Sequence, residues 1–276
     1  MLVTLSEILS AAEKGKYAVG LFNMLNLEMA RGIIEAAQEE RSPLILGVAE
    51  VHLPLIPFDY ASIIMNKIAR EASVPVCLHF DHGTDYDKIK LAIDSGFSSV
   101  MYDGSALPYE ENIKNTKRIS EIAHKKGVSV EAELGHVGGG ESVEELDSAE
   151  ALYTKPEQVN DFIERADVDA LAVAIGTAHG QYKRKPKLDI NLLSEIYKIS
   201  EKPLVLHGGS GLSDDDFRNT IQNGIRKINI CTEMCIAARQ AYINSKNHEV
   251  LFNDAKNAVK EVVKAKMKLF GSSERA

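Results

Sequence analysis

The sequence of 276 residues lacks the features that place a chain in a membrane or direct it out of the cell. No window reaches about 18 uninterrupted apolar residues, the length that a membrane-spanning helix needs. Residues 1–16 lack the basic start and the long apolar stretch of a signal peptide. We therefore expect a soluble, cytoplasmic protein that does not bind membranes.

The chain also lacks an excess of positive charge and has few cysteines. The formal net charge is −8 at pH 7, which gives no basic character to attract nucleic acid or an anionic membrane surface. Any anionic ligand must therefore be held by a local site. Cys77, Cys231 and Cys235 are an odd number of cysteines without metal-type spacing, and they lie in or beside apolar runs. We expect free, buried thiols rather than disulfides.

Eight short runs rich in β-branched residues recur along the chain, with amphipathic segments between them. The predicted strands are residues 17–23, 43–48, 74–79, 98–103, 128–134, 170–176, 203–207 and 226–230. Alternation of strands and helices indicates βα units and a parallel sheet. Eight such units form a closed barrel of about 250 residues. The sequence therefore predicts an α/β fold, a (β/α)₈ TIM barrel, as one domain over residues 1–276 without a linker.

Three further segments are predicted outside these strands. A short helix near residues 5–14 precedes the first strand, and a long helical segment, roughly 246–270, closes the chain with Gly271 as its stop. Residues 136–156 contain a glycine triplet followed by polar residues, which is too irregular for an ordinary short connection. We interpret this segment as a mobile active-site loop.

Three histidines stand where predicted strands end. They are His82 in HFDHGTD, His179 in AIGTAHG and His207 in PLVLHGGSG. A barrel brings its strand ends together at one mouth, and catalytic Zn²⁺ takes three protein ligands with one position left open. Each histidine alone is more simply explained as a hydrogen-bonded loop residue. The three together, beside glycine-rich turns, predict a zinc site.

The other five histidines do not share this pattern. His52, His124 and His248 fall on predicted loop or helix surfaces, and His79 lies three residues before His82, facing another direction. His136 stands at the start of the predicted loop, and its role stays open.

Carboxylates follow the same placement at strand ends. Asp81 adjoins a predicted metal histidine, Asp103 ends the fourth strand, Glu131 and Glu133 end the fifth, and Glu141 lies in the predicted loop. Since alternate residues of a barrel strand point inward, Glu131 and Glu133 share a face, with Glu133 nearer the mouth. Each could instead cap a helix or pair with a lysine. Together they supply the acid and base groups that proton transfer beside a Lewis acid needs.

Two turns indicate an anion site. HGGSG at 207–211 and NICTE at 229–233 follow the seventh and eighth strands. At these positions, barrels often bind phosphate with backbone N–H groups and a helix N-terminus. The GGSG segment alone could be a plain turn, but its coincidence with the second turn predicts a phosphate site.

Six longer segments resemble the motifs of one enzyme family. They are HFDHGTD, VMYDGSALPYEENI, VEAELGHVGG, LAVAIGTAHGQYK, PLVLHGGSGL and KINICTE. They are similar to the motifs of class II, metal-dependent ketose-bisphosphate aldolases, which include the fructose- and tagatose-bisphosphate aldolases. The resemblance runs from about residue 4 to the terminal KMKLFGSS. It implies an aldehyde-lyase of carbohydrate metabolism that acts on a sugar phosphate.

The resemblance also implies metal ligands. His82, His179 and His207 match the ligands of the catalytic Zn²⁺, and Asp103 and Glu133 match acidic positions that can hold a second metal. Members commonly bind Na⁺ or K⁺ near the phosphate as well, and they associate as homodimers or homotetramers.

The remaining roles concern proton transfer and substrate binding. Asp81 matches the aspartate that exchanges a proton with the aldehyde oxygen, and Glu141 matches the loop glutamate that deprotonates dihydroxyacetone phosphate. The residues that match substrate contacts are Asn23, Gly180, Lys183, Gly208, Gly209, Ser210, Asn229, Ile230, Cys231 and Thr232.

Some positions depart from the bisphosphate-cleaving members of the family. Those members hold the second phosphate with a serine, a lysine or arginine, and an arginine, where this chain has Ala49, Cys235 and Glu249; Ala106 also replaces a usual histidine or lysine. Loss of cations and gain of a carboxylate disfavour a dianionic phosphate. We predict retro-aldol cleavage of a ketose 1-phosphate to dihydroxyacetone phosphate and an aldehyde, which the sequence does not name.

Three alternatives remain. The nearest is a fructose- or tagatose-1,6-bisphosphate aldolase that releases glyceraldehyde 3-phosphate. A metal-dependent barrel hydrolase would use the same zinc, but it needs a positioned water and has no use for paired phosphate turns. Loss of Glu141 or of a zinc ligand would favour a non-catalytic sugar-phosphate sensor, and none of these residues is lost.

Overall fold

Eight parallel strands close into a barrel in the computed structural model, which describes residues 1–138, 152–182 and 185–276. Each strand pairs with its neighbours along the chain, and β1 pairs with β8. The strands are β1 Val19–Asn23, β2 Leu44–Ala49, β3 Val76–Gly83, β4 Ser99–Tyr102, β5 Ser129–Leu134, β6 Ala170–Val173, β7 Leu204–Leu206 and β8 Ile225–Ile230. The predicted (β/α)₈ TIM barrel is confirmed.

Helices surround the barrel and follow the strands. Those in the described residues are α1 Leu5–Gly15, α2 Leu27–Glu39, α3 Phe58–Glu71, α4 Tyr86–Asp94, α5 Tyr109–His124, α6 Val159–Ala166, α7 Ile190–Ile199, α8 Asp214–Gln222, α9 Thr232–Asn244 and α10 Leu251–Phe270. Short 3₁₀ helices, Glu50–His52 and Pro156–Gln158, follow β2 and precede α6. Within the described ranges, no helix has the length and apolar character needed to cross a membrane.

The two predicted terminal helices are present, with one difference. A capping box of Thr4 and Glu7 starts α1, which packs against the strands at their amino ends. Gly271 ends α10 in a left-handed conformation, φ 75°, as predicted. However, α10 begins at Leu251 rather than near residue 246, because residues 245–250 form the turn that follows α9.

The strands are buried along their whole length except at His82 of β3, as expected of a parallel sheet covered on both faces. One apolar cluster fills the lower barrel interior and includes Leu21, Ile45 and Val205 together with Leu5 and Leu9 of α1. A larger cluster lies between the strands and the helices. The amino end of the barrel is thus closed by apolar packing, and polar side chains collect at the carboxyl end.

Strand β3 bends where its side chains reach the mouth. The pairing of β3 with β4 shifts between Phe80 and Gly83, and His82 has a left-handed backbone with φ 47°. Successive side chains of a regular strand point to opposite faces. The irregularity lets the neighbours Asp81 and His82 both line the mouth.

The cysteines are only partly as predicted. All three are free thiols, and Cys77 is buried in β3. The expectation of burial is wrong for Cys231 and Cys235, which are partly exposed because they stand at the start of α9, at the barrel mouth.

Candidate active site at the barrel mouth

The carboxyl ends of the strands surround a cleft of about 510 Å³. The predicted site residues that line it are Asn23, Asp81, His82, Asp103, His179, Gly180, Gly208, Gly209, Ser210, Asn229, Cys231 and Thr232. His207, Glu133 and Ile230 are buried next to it or beneath it. Glu141, Lys183 and most of the predicted loop lie outside the described residues.

The three predicted zinc histidines converge, although 125 residues separate His82 from His207. Their ligand atoms lie within 4.8 Å of one another. His82 Nε2 is 2.8 Å from His207 Nδ1, and the His179 ring meets the His82 ring edge to face with centroids 4.7 Å apart. His179 Nε2 is buried without a hydrogen-bond partner in the described part of the chain.

Two of these rings are fixed by carboxylates. Asp103 Oδ2 lies 2.8 Å from His82 Nδ1, and Glu131 Oε1 lies 2.9 Å from His207 Nε2. An ionised carboxylate only accepts, so each of these ring nitrogens donates its proton. Metal-binding histidines commonly donate their second ring N–H to a carboxylate in this way.

The fixed tautomers of His82 and His207 require a cation between the two rings. With their protons directed at Asp103 and Glu131, the facing nitrogens of neutral His82 and His207 present lone pairs to each other at 2.8 Å. These lone pairs repel unless a proton or a metal ion lies between them. The three imidazoles therefore fit a resident metal, and their nitrogen donors suit Zn²⁺.

The pKa values of the histidines also indicate that the site favours a cation. Burial opposes a charge on His82, but the carboxylates of Asp81 and Asp103 outweigh it and raise the pKa of His82 to about 9. Burial, and then the charges of the other two histidines, lower the pKa of His179 to about 3. The site therefore favours one positive charge near His82, with a neutral imidazole beside it.

A second group of potential ligands consists of His82, Asp103 and Glu133. Burial, reinforced by the nearby Asp103 carboxylate, raises the pKa of Glu133 to about 8. Glu133 Oε1 accepts the backbone N–H of Val137 at 2.8 Å, and Oε2 has no partner in the described residues. Because this group shares His82 with the first, the two groups define adjacent positions in one site.

A third group of potential ligands, His79, Asp81 and Glu131, lies deeper in the barrel. There the ammonium of Lys227 lies 2.9 Å from both Glu131 oxygens, and both side chains are fully buried. Lys227 already supplies the positive charge that a metal ion would otherwise bring to this group. His79 forms a hydrogen bond with Ser99 Oγ at 2.8 Å and is fully buried; unlike His82, it does not line the cleft.

Asp81 is held as a carboxylate at the floor of the cleft. Burial would raise its pKa, but the positive charges of His82 and Lys227 hold the pKa well below its usual range. The amide of Asn23 donates to Asp81 at 2.8 Å, and that of Asn229 donates at 3.2 Å. The group is thus ionised, oriented and able to accept a proton.

The two predicted phosphate turns lie together on one side of the cleft. Gly208 has a φ of 66°, and a Cβ there would come within 2.4 Å of the Ala178 carbonyl oxygen, so only glycine fits. Ser210 Oγ accepts the backbone N–H groups of Cys231 and Glu233 at 3.2 and 3.3 Å, which ties the first turn to the N-terminus of α9. Such a helix N-terminus is suited to an anion.

Several residues that the sequence analysis passed over also lie here. His52 was expected on a surface, but it lines the cleft together with Val51. His136 lines it too and donates to Ser105 Oγ at 2.8 Å; Ser105 in turn donates to Asp103. The position of His52, three residues beyond the end of β2, was the signal that could have identified it.

The residues that depart from the bisphosphate pattern occupy different surroundings. Ala49 lines the cleft, as expected. Cys235 lies in the first turn of α9, and Glu249 is exposed in the turn before α10; neither lines the cleft. The expectation that Glu249 faces a bound phosphate is therefore wrong for this chain. The stronger observation is that no lysine or arginine among the described residues lines the cleft.

The fold and the mouth together define a β/α-barrel enzyme of the metal-dependent type. The family model described as fructose-bisphosphate aldolase class-II matches residues 3–275. The chain therefore belongs to the class II fructose-bisphosphate aldolase family. It is an aldolase, that is, an aldehyde-lyase, and it acts on a sugar phosphate.

Individual relatives agree. The chain is 42% identical over 285 residues to a fructose-bisphosphate aldolase of Staphylococcus aureus strain Mu50, with 100% of this chain and 99% of that protein covered. It is 41% identical over 285 residues to a fructose-bisphosphate aldolase of Geobacillus stearothermophilus, with the same coverage. The crystal structure of the YdjI aldolase from Escherichia coli K12 superposes with a TM-score of 0.91 at 38% identity, and both chains are covered completely.

The carboxylate beneath His207 gives a first prediction. Replacing Glu131 with Gln should weaken zinc binding about 10-fold or more, because His207 loses its charged acceptor. It should also lower the free energy of unfolding by about 3–5 kcal/mol, because Lys227 stays buried without its partner. Competition with a fluorescent chelator and urea unfolding measure the two effects.

The double variant Glu131→Gln with Lys227→Met separates these causes. It removes both buried charges, so it should recover much of the stability but not the zinc affinity. Wild-type zinc affinity in Glu131→Gln would contradict a positioning role for this carboxylate.

Proposed function

We propose that this aldolase reversibly cleaves a ketose 1-phosphate to dihydroxyacetone phosphate and an aldehyde, with Zn²⁺ as its metal. The observation that carries the substrate class is the charge of the cleft. One side has backbone turns suited to a phosphate, and no lysine or arginine of the described residues lines any part of the cleft.

His82, His179 and His207 hold the metal in this proposal, and Asp103 and Glu133 offer a second position. A zinc ion bound there would polarise the ketone of the substrate and stabilise negative charge that develops on its oxygen. Asp103 and Glu131 keep the rings of His82 and His207 oriented with their lone pairs toward the metal.

Asp81 moves the proton at the bond that breaks. Its carboxylate accepts the proton of the hydroxyl on the aldehyde side, and that oxygen becomes the carbonyl of the released aldehyde. The C–C bond breaks, and its electron pair passes to the carbon of the dihydroxyacetone phosphate half, which then takes up a proton. Glu141, assigned by family resemblance, exchanges the proton at the carbon of dihydroxyacetone phosphate. Asn23 and Asn229 fix Asp81 for its role through their amide hydrogen bonds.

The phosphate of the ketose binds at the turns after β7 and β8. Backbone groups of Gly208, Gly209 and Ser210 and of residues 229–232 surround it, with Gly180 lining the same cleft. Lys183 is assigned to the substrate by family resemblance alone. A Na⁺ or K⁺ ion next to this phosphate would reduce its charge. We also propose that residues 1–276 form one domain, that the enzyme is a homodimer or homotetramer, and that it works in the cytoplasm.

The nearer alternative is a fructose- or tagatose-1,6-bisphosphate aldolase. The names of the relatives from Staphylococcus aureus and Geobacillus stearothermophilus favour it. The charge of the cleft favours the ketose 1-phosphate instead. Membership of an aldolase family supports neither a hydrolase nor a non-catalytic sensor.

Metal removal is expected to abolish activity. Exhaustive chelation should stop cleavage, and Zn²⁺ or Co²⁺ should restore it, because the imidazole donors suit both ions. His179→Ala should lose metal while keeping the barrel folded, whereas His248→Ala, at an exposed position that does not line the cleft, should keep both metal and activity. Full activity after chelation, or a substrate adduct trapped by borohydride, would exclude the metal mechanism.

Substitutions of the two proton-transfer groups should impair different half-reactions. Glu141→Gln should stop exchange of the dihydroxyacetone phosphate carbon-bound hydrogen with solvent. Asp81→Asn should slow C–C cleavage and spare part of that exchange, because it acts on the other half of the substrate. Solvent exchange followed by NMR, together with a coupled cleavage assay, provides the measurement. Equal loss of both reactions in both variants would mean that the roles are misassigned.

Substrate choice tests the proposed function directly. The missing charge-assisted bonds to a second phosphate are worth about 1.5–3 kcal/mol each, so kcat/KM should be roughly 10²-fold lower for fructose or tagatose 1,6-bisphosphate than for the matching 1-phosphate. Val51→Lys should narrow this gap, and Val51→Met, of similar length without charge, should not. A wild-type preference for a bisphosphate over every 1-phosphate tested would return the enzyme to the bisphosphate branch.

A further inference from the structure

His52 lies in the cleft but has no part in the reaction proposed above. It ends the 3₁₀ helix Glu50–His52 that follows β2, and it lines the cleft beside Ala49 and Val51. This side of the cleft adjoins Asp81, whose β-strand pairs directly with β2 through Ala49. In the proposed reaction, Asp81 serves the aldehyde half of the substrate, so His52 lies next to that half.

The segment that carries His52 is held rigidly. Glu50 Oε2 accepts the backbone N–H groups of Thr84 and Asp85 at 2.7 and 3.1 Å, and Glu50 Oε1 accepts from Lys88 Nζ at 2.7 Å. These bonds tie the 3₁₀ helix to the turn after β3. His52 therefore keeps a fixed position relative to the end of β3, as a recognition residue requires.

The imidazole of His52 lacks a partner. Its Nδ1 is shielded from water and has no hydrogen-bond partner among the described residues. A ligand hydroxyl that reaches this ring would supply a partner that none of the described residues provides. His136, the other unassigned histidine of the cleft, differs because its Nδ1 already donates to Ser105.

The surroundings of His52 favour a neutral ring. Burial lowers its pKa, and the charge of His82 lowers it further, while the carboxylate of Asp81 opposes both. A neutral imidazole offers one donor and one acceptor, which is also what a hydroxyl group offers. With Asp81 close by and no described lysine or arginine lining the cleft, the surroundings disfavour an anionic group at this point.

We propose that His52 is a specificity-determining residue that hydrogen-bonds a hydroxyl group of the aldehyde half, on the carbon next to the one that Asp81 serves. The ligand class is thus a hydroxyaldehyde, or the ketose 1-phosphate formed from it. This inference rests on the proposed function and names the part of the substrate that the function leaves open.

The test uses the synthesis direction with a pair of aldehydes. Dihydroxyacetone phosphate is combined with glycolaldehyde, which has a hydroxyl on the carbon next to the carbonyl, or with acetaldehyde, which lacks it. In wild-type enzyme, kcat/KM should favour glycolaldehyde. In His52→Leu, the ratio of the two kcat/KM values should fall roughly 10-fold, which is the effect expected from loss of one net hydrogen bond. Hydration of the aldehydes cancels because both enzymes receive the same solutions.

Control variants and a second readout exclude a merely structural role. His52→Asn keeps a donor and an acceptor and should retain part of the preference, and His248→Leu should retain all of it. Solvent exchange at dihydroxyacetone phosphate, measured without aldehyde, should be unchanged in His52→Leu, because that half-reaction does not involve the tail.

The outcomes distinguish this inference from the function on which it rests. An unchanged aldehyde preference in a His52→Leu enzyme that still exchanges and condenses would overturn the role of His52 and leave the aldolase proposal intact. Loss of exchange together with condensation would show that His52 acts on the whole site rather than on the tail, which also overturns the inference. A wild-type enzyme that neither exchanges nor condenses would overturn the proposed function and this inference together.

Discussion

The buried ion pair between Lys227 and Glu131 is the interaction on which the rest of the mouth depends. Both side chains are fully buried in the barrel, with Nζ–O distances of 2.9 Å. Lys227 is why burial does not protonate Glu131: burial raises the pKa of that carboxyl, but the ammonium outweighs it and holds the value at about 2. An ionised Glu131 can orient His207, and an oriented His207 turns its other nitrogen to the metal position. Lys227 on β8 thereby helps to determine the orientation of His207, the predicted metal ligand that follows β7.

Acidic and basic groups also offset one another in the cleft above this ion pair. Asp81 and Asp103 flank His82 and favour a positive charge there, while Asn23 and Asn229 hold Asp81 without neutralising it. In such a site, a metal ion and a proton compete for one position, so metal binding releases protons and depends on pH. Both carboxylates therefore attract the cation, and Asp81 is also the group proposed for proton transfer.

The sequence was sufficient for the barrel because parallel strands buried on both faces appear as short apolar runs, and eight of them recur. It was also sufficient to predict that His82, His179 and His207 meet at one mouth. It could not show that His82 and Asp81 would face the same cleft, because this depends on a left-handed residue and a register shift in β3. His52 and Lys227 were missed for another reason: the first looked like a surface residue, and the second was hidden in a strand-like run. A lysine within one apolar strand and glutamates within another were the signal for a buried pair.

Different parts of the fold form the two sides of the cleft, and these parts tolerate amino-acid substitution to different degrees. The side that receives the phosphate uses backbone turns, and at Gly208 even a Cβ would clash with the chain, so it suits one constant group. The opposite side uses side chains of the connection after β2, which is tied to the turn after β3 by Glu50 but is not part of the barrel wall. A substitution at Val51 or His52 can alter the recognised tail without disturbing the strands or the metal ligands. Specificity for the aldehyde half can thus vary independently of the chemistry, because the residues that govern each are held by different contacts.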